Sequence, residues 1–210
     1  MDLNTAAFIF SIIISAVAAI LSDYRGQKFL SYFFRPFTIL LIIGLLFEAR
    51  PASFYRNAIL IGLIFSLLGE VMMMLKKKKF LAGLLFFLGT QIAFALAFYS
   101  KLSPGFLVWP VIPLILISAI VLFLIWPELG KLRLPVLFYF VAILTVVRFA
   151  IELPHQITGY RPWLAASGAV LFLISDALMA INRFHRAFSS AQIFILSTYY
   201  LSQLLIALSI

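Results

Sequence analysis

Apolar runs of about 20 residues, long enough to cross the roughly 30 Å hydrocarbon interior of a bilayer as helix, fill nearly the whole 210-residue chain. Short polar joints separate them, and no stretch is long or polar enough to form a soluble domain. Composition agrees: 65% of residues are hydrophobic, 11% are charged, and the mean hydropathy is +1.16. A soluble domain carries about 25% charged residues. A membrane barrel would show short alternating segments in place of these continuous runs. The reading is an all-α, polytopic membrane bundle of about eight transmembrane helices, one transmembrane domain over residues 1–210.

The runs place helices at about Thr5–Leu21, Phe29–Phe47, Tyr55–Leu75, Phe80–Phe98, Phe106–Ile125, Pro135–Ile151, Pro162–Ile181 and Phe188–Leu208. The joints carry turn and breaker residues: Asp23-Tyr24-Arg25-Gly26, Arg50-Pro51, Lys76 to Lys79, Ser103-Pro104-Gly105, Trp126-Pro127, Thr158-Gly159 and Asn182-Arg183. The start, Met1-Asp2-Leu3-Asn4, lacks the basic region of a secretory signal peptide, so the first run is expected to be a retained helix.

Lysine and arginine set the expected orientation. Arg25, Lys28, Arg35, Lys76 to Lys79, Lys131, Arg133, Arg183 and Arg186, 11 of the 16 bases, fall on the odd-numbered loops and their flanks. Arg50, Arg56, Lys101, Arg148 and Arg161 fall on the other side. The positive-inside rule then puts Lys76–Lys79 in the cytoplasm and both termini outside, in a bacterial inner (plasma) membrane. The lysine run reads as a solvated topology anchor. The net charge of +9 follows from these basic loops and does not point to nucleic acid, because no soluble module is present.

Two acids interrupt the apolar runs. Glu70 lies six residues before Lys76, and Asp176 seven before Arg183. At 1.5 Å per residue, each sits roughly 10 Å inside its helix end. An ionised carboxylate at mid-membrane costs about 2.5–3.5 kcal/mol, so such groups face a cavity or a partner. Equal depth on two helices allows one shared pocket. Gly62, Ser66 and Gly69 accompany Glu70, and Ala165, Ala169 and Ala180 accompany Asp176; small residues let membrane helices approach. The segment Gly62 to Glu70 aligns with Gly168 to Asp176, an acid eight residues after a glycine in each. Arg35-Pro36 and Arg133-Leu-Pro135 open helices two and six, which suggests a 4+4 parallel internal repeat.

Other polar residues inside the runs are Gln91, Tyr139, Tyr199, Tyr200 and Gln203, each readable as interhelical hydrogen-bond glue or as part of a site. Asn182 reads first as a helix cap, and Arg161 with Trp163 as interfacial anchors. The chain has no cysteine, which excludes thiol catalysis and thiolate metal sites. His155 and His185 are both expected in loops, which argues against a three-histidine zinc hydrolase. Neither Gly-x-Ser-x-Gly nor a Ser/His/Asp set is present to make an acyl-serine esterase. No metal or cofactor is expected. What remains is carboxylate chemistry, or none.

In helix seven, Leu171-Phe-Leu-Ile-Ser-Asp176-Ala-Leu-Met-Ala-Ile-Asn182-Arg183-Phe184 closely resembles the signature of the YhhN family, whose characterised members are lysoplasmalogenases. Supporting matches are Arg35-Pro36-Phe-Thr38, Gly62 through Glu70, Arg133-Leu-Pro135-Val-Leu-Phe-Tyr139, and Thr198-Tyr199-Tyr-Leu-Ser-Gln203. They occur in the family's order over most of the chain. Two positions depart: Glu70 stands where the family usually has aspartate, and Gln91 where it usually has histidine. Glutamate keeps a carboxylate on a longer arm, whereas glutamine does not titrate.

The resemblance implies an ether-bond hydrolase that cleaves the vinyl ether of a lysoplasmalogen to a fatty aldehyde and a glycerophospho-headgroup. Such chemistry needs a protonated acid and a nearby carboxylate, roles that two carboxyl groups divide when their environments differ. Asp176 and Glu70 are the expected catalytic pair. Tyr139, Tyr199, Gln203 and Gln91 would position water or substrate, with Asn182 beside them, while Arg35 or Arg183 would hold the phosphate through its fork of donors. The expected partners are a lysophospholipid or ether-lipid substrate and membrane lipids. Two other readings stay open. A small transporter or lipid-binding protein would use Glu70 and Asp176 as a proton relay. A purely structural membrane protein would neutralise each acid with its own arginine.

Overall fold

The computed structural model describes residues 3–48, 52–75, 79–103 and 111–210. These are 88% helix, with no strand among them. The reason is the bilayer: with no water to satisfy backbone N–H and C=O groups, each segment closes its hydrogen bonds internally.

The helices are α1 (Leu3–Tyr24), α2 (Lys28–Glu48), α3 (Phe54–Met74), α4 (Phe80–Tyr99), α5 (Val111–Ile125), α6 (Arg133–Gln156), α7 (Arg161–Phe184) and α8 (Ala191–Leu208). Seven are long and apolar enough to cross a membrane; α5, with 15 described residues, is the shorter one. The chain is an integral, multi-pass membrane protein. Arg50, Pro51, Lys76 to Lys78 and Pro104 to Pro110, and with them most of the lysine run, lie outside the described residues.

Three boundaries differ from the sequence expectation. Helix α6 continues five residues beyond Ile151, through Pro154. A proline in the last turn costs only one helical bond, and Glu152 bridges Arg148 and Gln156 at 3.2 Å each, one turn to either side. His155 therefore lies in this last turn and not in a loop. Helix α8 begins at Ala191 and not at Phe188, because the Asn182 side chain accepts the Phe188 N–H at 3.2 Å and holds 185–190 as a connection. The Trp126-Pro127 joint is built from two short 3₁₀ turns, Trp126–Glu128 and Gly130–Leu132.

Helices α3 and α4 form one closely packed pair and α7 and α8 another, joined by α6, which lies against α4 and α7. Helix α2 bridges α1, α3 and α8, while α5 lies at the edge on α6 and α7. The two closest pairs are glycine-mediated. A Cβ at Gly168 on α7 would stand 2.7 Å from Ile206 Cγ1 and 3.0 Å from the Ser202 carbonyl oxygen on α8. The 4+4 repeat is not established by this packing, since α1 contacts α2 and α8 whereas α5 contacts α6 and α7. Between the pairs, Phe87, Phe94, Phe172 and Tyr199 form an edge-to-face cluster with centroids 5.9–6.4 Å apart. Such pairs contribute about 0.5–1.5 kcal/mol each beyond their burial, and this one fixes the Tyr199 ring. Large side chains such as Phe29, Leu134 and Phe138 are exposed on the outer surface, where a bilayer supplies the apolar solvent.

Candidate active site

The end of the bundle that carries the α1–α2, α3–α4, α5–α6 and α7–α8 connections encloses a polar cavity of about 150 Å³. Glu70 of α3 and Asp176 of α7 both line it, with Arg35 of α2, Arg183 and Asn182 of α7, and Tyr199 of α8. The two acids thus line one pocket, and their immediate partners differ.

Glu70 is 4% exposed and accepts a 2.6 Å bond from Arg35 Nε. Arg35 Nη1 reaches Asp23 Oδ1 at 3.2 Å, and Ser31 donates to the same oxygen at 3.0 Å. The tight α1–α2 turn makes this possible: Gly26 adopts φ 68°, in the left-handed region that favours glycine, and brings the end of α1 beside the start of α2. Arg35 therefore spends two of its donors on carboxylates. Its guanidinium thus lies between two acids, Glu70 and Asp23.

Asp176 has no cation partner among the described residues. It accepts the Tyr139 hydroxyl of α6 at 2.5 Å. Tyr139 in turn accepts from Gln91 Nε2 of α4 at 3.3 Å. Gln91 is fully buried and lies behind Tyr139, outside the cavity wall, with its Oε1 unpartnered within the protein. The chain Gln91–Tyr139–Asp176 links α4, α6 and α7 through side chains that cannot reach water around the outside of the bundle.

A second relay stands on the α8 side. Tyr199 and Ser66 share a hydroxyl–hydroxyl bond of 2.6 Å, and Gln203 Nε2 donates to Ser66 Oγ at 2.7 Å. Gln203 and Ser66 are fully buried. Gln203 thus supports Tyr199 from behind and does not face the cavity. Asn182 faces it from a position already committed to closing the α7–α8 connection, a loop tie in place of the expected helix cap.

Arg183 is exposed and has no ion pair among the described residues. Its guanidinium carbon stands 3.8 Å from the centroid of the Phe80 ring. Stacking holds the fork in place while its N–H edges stay available, an arrangement suited to an oxyanion such as phosphate.

Asp176, Arg183, Phe80 and Met179 also border a separate, apolar pocket of about 30 Å³ between α4, α6 and α7. One acid therefore stands where a polar cavity meets an apolar one.

Sequence reasoning missed Asp23, Ser31 and the stacking partner Phe80, and saw Ser66 only as a small residue. Ser66 was readable, since it precedes Glu70 by four residues and shares its helix face. Asp23 was not, because its approach to Arg35 depends on the turn at Gly26.

The YhhN family model matches residues 30–210. A membrane protein of Escherichia coli O6:H1 described as an uncharacterized membrane protein YhhN is 27% identical over 206 residues, 95% of this chain and 96% of its own length. Bovine lysoplasmalogenase TMEM86A is 29% identical over 159 residues, 72% of this chain and 64% of its own length. The human lysoplasmalogenase TMEM86A is 29% identical over 169 residues, 77% of this chain and 67% of its own. No solved structure matches significantly.

Proposed function

The chain belongs to the YhhN family, and from that premise we propose that it is a membrane-embedded hydrolase of lysoplasmalogenase type, cleaving a vinyl ether to a fatty aldehyde and a glycerophospho-headgroup. The observation that carries the reading is that Glu70 and Asp176 line one cavity with unlike partners, a guanidinium for one and a phenol for the other.

The chemistry divides between them as follows. Asp176, at the junction of polar and apolar space, gives its proton to the β-carbon of the vinyl ether. The double-bond electrons form the new C–H bond, leaving an oxocarbenium ion. Water adds to the cationic carbon and loses a proton to the carboxylate now on Asp176. The resulting hemiacetal breaks its C–O bond to the glycerol, yielding aldehyde and alcohol. Glu70, charge-balanced by Arg35, supplies negative charge beside the cation and orients the water with Tyr199. Arg183 binds the phosphate. Acid–base assistance of this kind is worth roughly 10²–10⁴-fold in rate. In this reading the cavity faces the cytoplasmic side of an inner membrane with both termini outside, which the lysine and arginine distribution supports.

The deciding experiment is aldehyde release from a synthetic lysoplasmalogen by the purified protein, with the saturated alkyl-ether analogue as control. Aldehyde from the vinyl ether alone supports the reading. No aldehyde from folded protein would overturn it and move the case to the proton-relay transporter, whose acids would then be read out by substrate-driven proton uptake in vesicles.

A further inference from the structure

On the lipid-facing side of α4 and α6, Leu85, Leu88, Leu134 and Phe138 line an apolar groove of about 260 Å³. Leu85, Leu134 and Phe138 are exposed to the bilayer region. Leu84, which is only 5% exposed, lines both this groove and the apolar pocket beside Asp176. One side chain is thus shared between the lipid-facing groove and the candidate site. The pocket behind it has a volume of about 30 Å³. A long hydrocarbon chain needs more room than this, and Leu84 is the side chain shared by pocket and groove.

The geometry points to a lateral portal between α4 and α6, gated by Leu84, that receives the single hydrocarbon chain of an ether lipid directly from the bilayer. The inference rests on the hydrolase reading for the identity of the chain. The occupant is one chain and not two, because the space beyond Asp176 is polar, lined by Glu70, Arg35 and Asn182. A second acyl chain would have to enter that polar cavity, forfeiting about 0.8 kcal/mol per buried CH₂. The arrangement lays the headgroup on the Arg183 side, the reacting ether carbons at Asp176, and the tail outward past Leu84. Selection for a single-chain substrate then resides in the portal.

The test uses a single-chain ether lipid with a diazirine in mid-tail, photolysed on the full-length protein in lipid nanodiscs and mapped by mass spectrometry. Label is expected on the segments around Leu84–Leu88 and Leu134–Phe138, displaced by excess unlabelled single-chain lipid and not by a two-chain lipid. Leu84→Trp, which plugs the neck, should lower turnover of a long-chain lysoplasmalogen about tenfold or more relative to a short-chain vinyl ether soluble in water. Leu88→Trp, in the more open groove, repeats the comparison if the first variant fails to fold. Label spread equally over other lipid-facing sites such as Phe29 and Phe123 would overturn the portal, as would equal loss of both substrates. Portal labelling without aldehyde from wild-type protein would uphold the chain site and sink the hydrolase reading.

Discussion

The Tyr139 hydroxyl lies 2.5 Å from Asp176 Oδ2 and joins α6 to α7 at the point where the polar cavity meets the apolar pocket. Gln91 holds the same hydroxyl from behind, so the direction of the Tyr139 O–H is set by two partners on two further helices. Asp176 is thereby oriented without being neutralised, whereas Glu70 is tied to Arg35. That asymmetry separates the hydrolase reading from a structural one, in which each acid would meet its own arginine.

Asp176→Asn keeps the shape and the hydrogen-bond acceptor but removes the transferable proton. Turnover of lysoplasmalogen should fall at least about 100-fold, while membrane insertion and the size-exclusion profile stay unchanged. Aldehyde release measured at matched protein levels checks it, and near-normal turnover would sink the catalytic assignment.

Tyr139→Phe leaves the Asp176 carboxyl unaimed and Gln91 Nε2 without its acceptor. The expected turnover loss is roughly ten- to a hundredfold, the range for groups that orient a reacting one, accompanied by a stability loss of about 1–3 kcal/mol from the buried orphaned donor. Single-turnover rates and a thermal melt in detergent separate the two effects.

Glu70→Gln removes the nearer of the two acids on Arg35, whose side chain is 14% exposed. Asp23 remains at 3.2 Å, so the guanidinium is weakened but not abandoned. A double-mutant cycle of Glu70→Gln with Arg35→Gln should give a coupling of about 1–3 kcal/mol in unfolding free energy. Additive single effects would mean that the pair is not a stabilising unit.

Arg183→Ala should raise KM for a phosphate-bearing substrate about tenfold with kcat little changed, as when binding is lost equally in ground and transition states. The same variant should leave a vinyl ether lacking the phosphate unaffected. Initial-rate kinetics on both substrates decide whether Arg183 or another base meets the headgroup.

Gly168→Ala sets two effects against each other. Alanine gains about 1 kcal/mol over glycine in helix propensity. Its methyl, however, meets the Ser202 carbonyl oxygen at 3.0 Å and the Ile206 amide nitrogen at 3.1 Å, backbone atoms that move only if α8 moves. Overpacking costs about 1–3 kcal/mol, so the net change should be destabilising. A lowered melting temperature in detergent is the expected result.

The membrane class, the helix count and the helix positions to within a few residues were readable from the sequence, because a bilayer admits few spanning structures and helices of about 20 apolar residues are the principal one. So was the Ser66–Glu70 face. Which helices are neighbours was not, because in hydrocarbon an apolar side chain carries no preference for one apolar partner over another. Equal depth for Glu70 and Asp176 did not follow from the sequence breaks, since α3 ends at Met74, four residues past Glu70, and α7 at Phe184, eight past Asp176. Only the packing decided that Asp23 reaches Arg35 around Gly26, that Gln91 stands behind Tyr139 and not in the cavity, and that Arg183 lies on Phe80. It also placed Leu84 on both the lipid-facing groove and the pocket beside Asp176. Each of these depends on directions across helices that are distant in sequence, set by shape complementarity at glycine and aromatic contacts that one-dimensional periodicity does not encode.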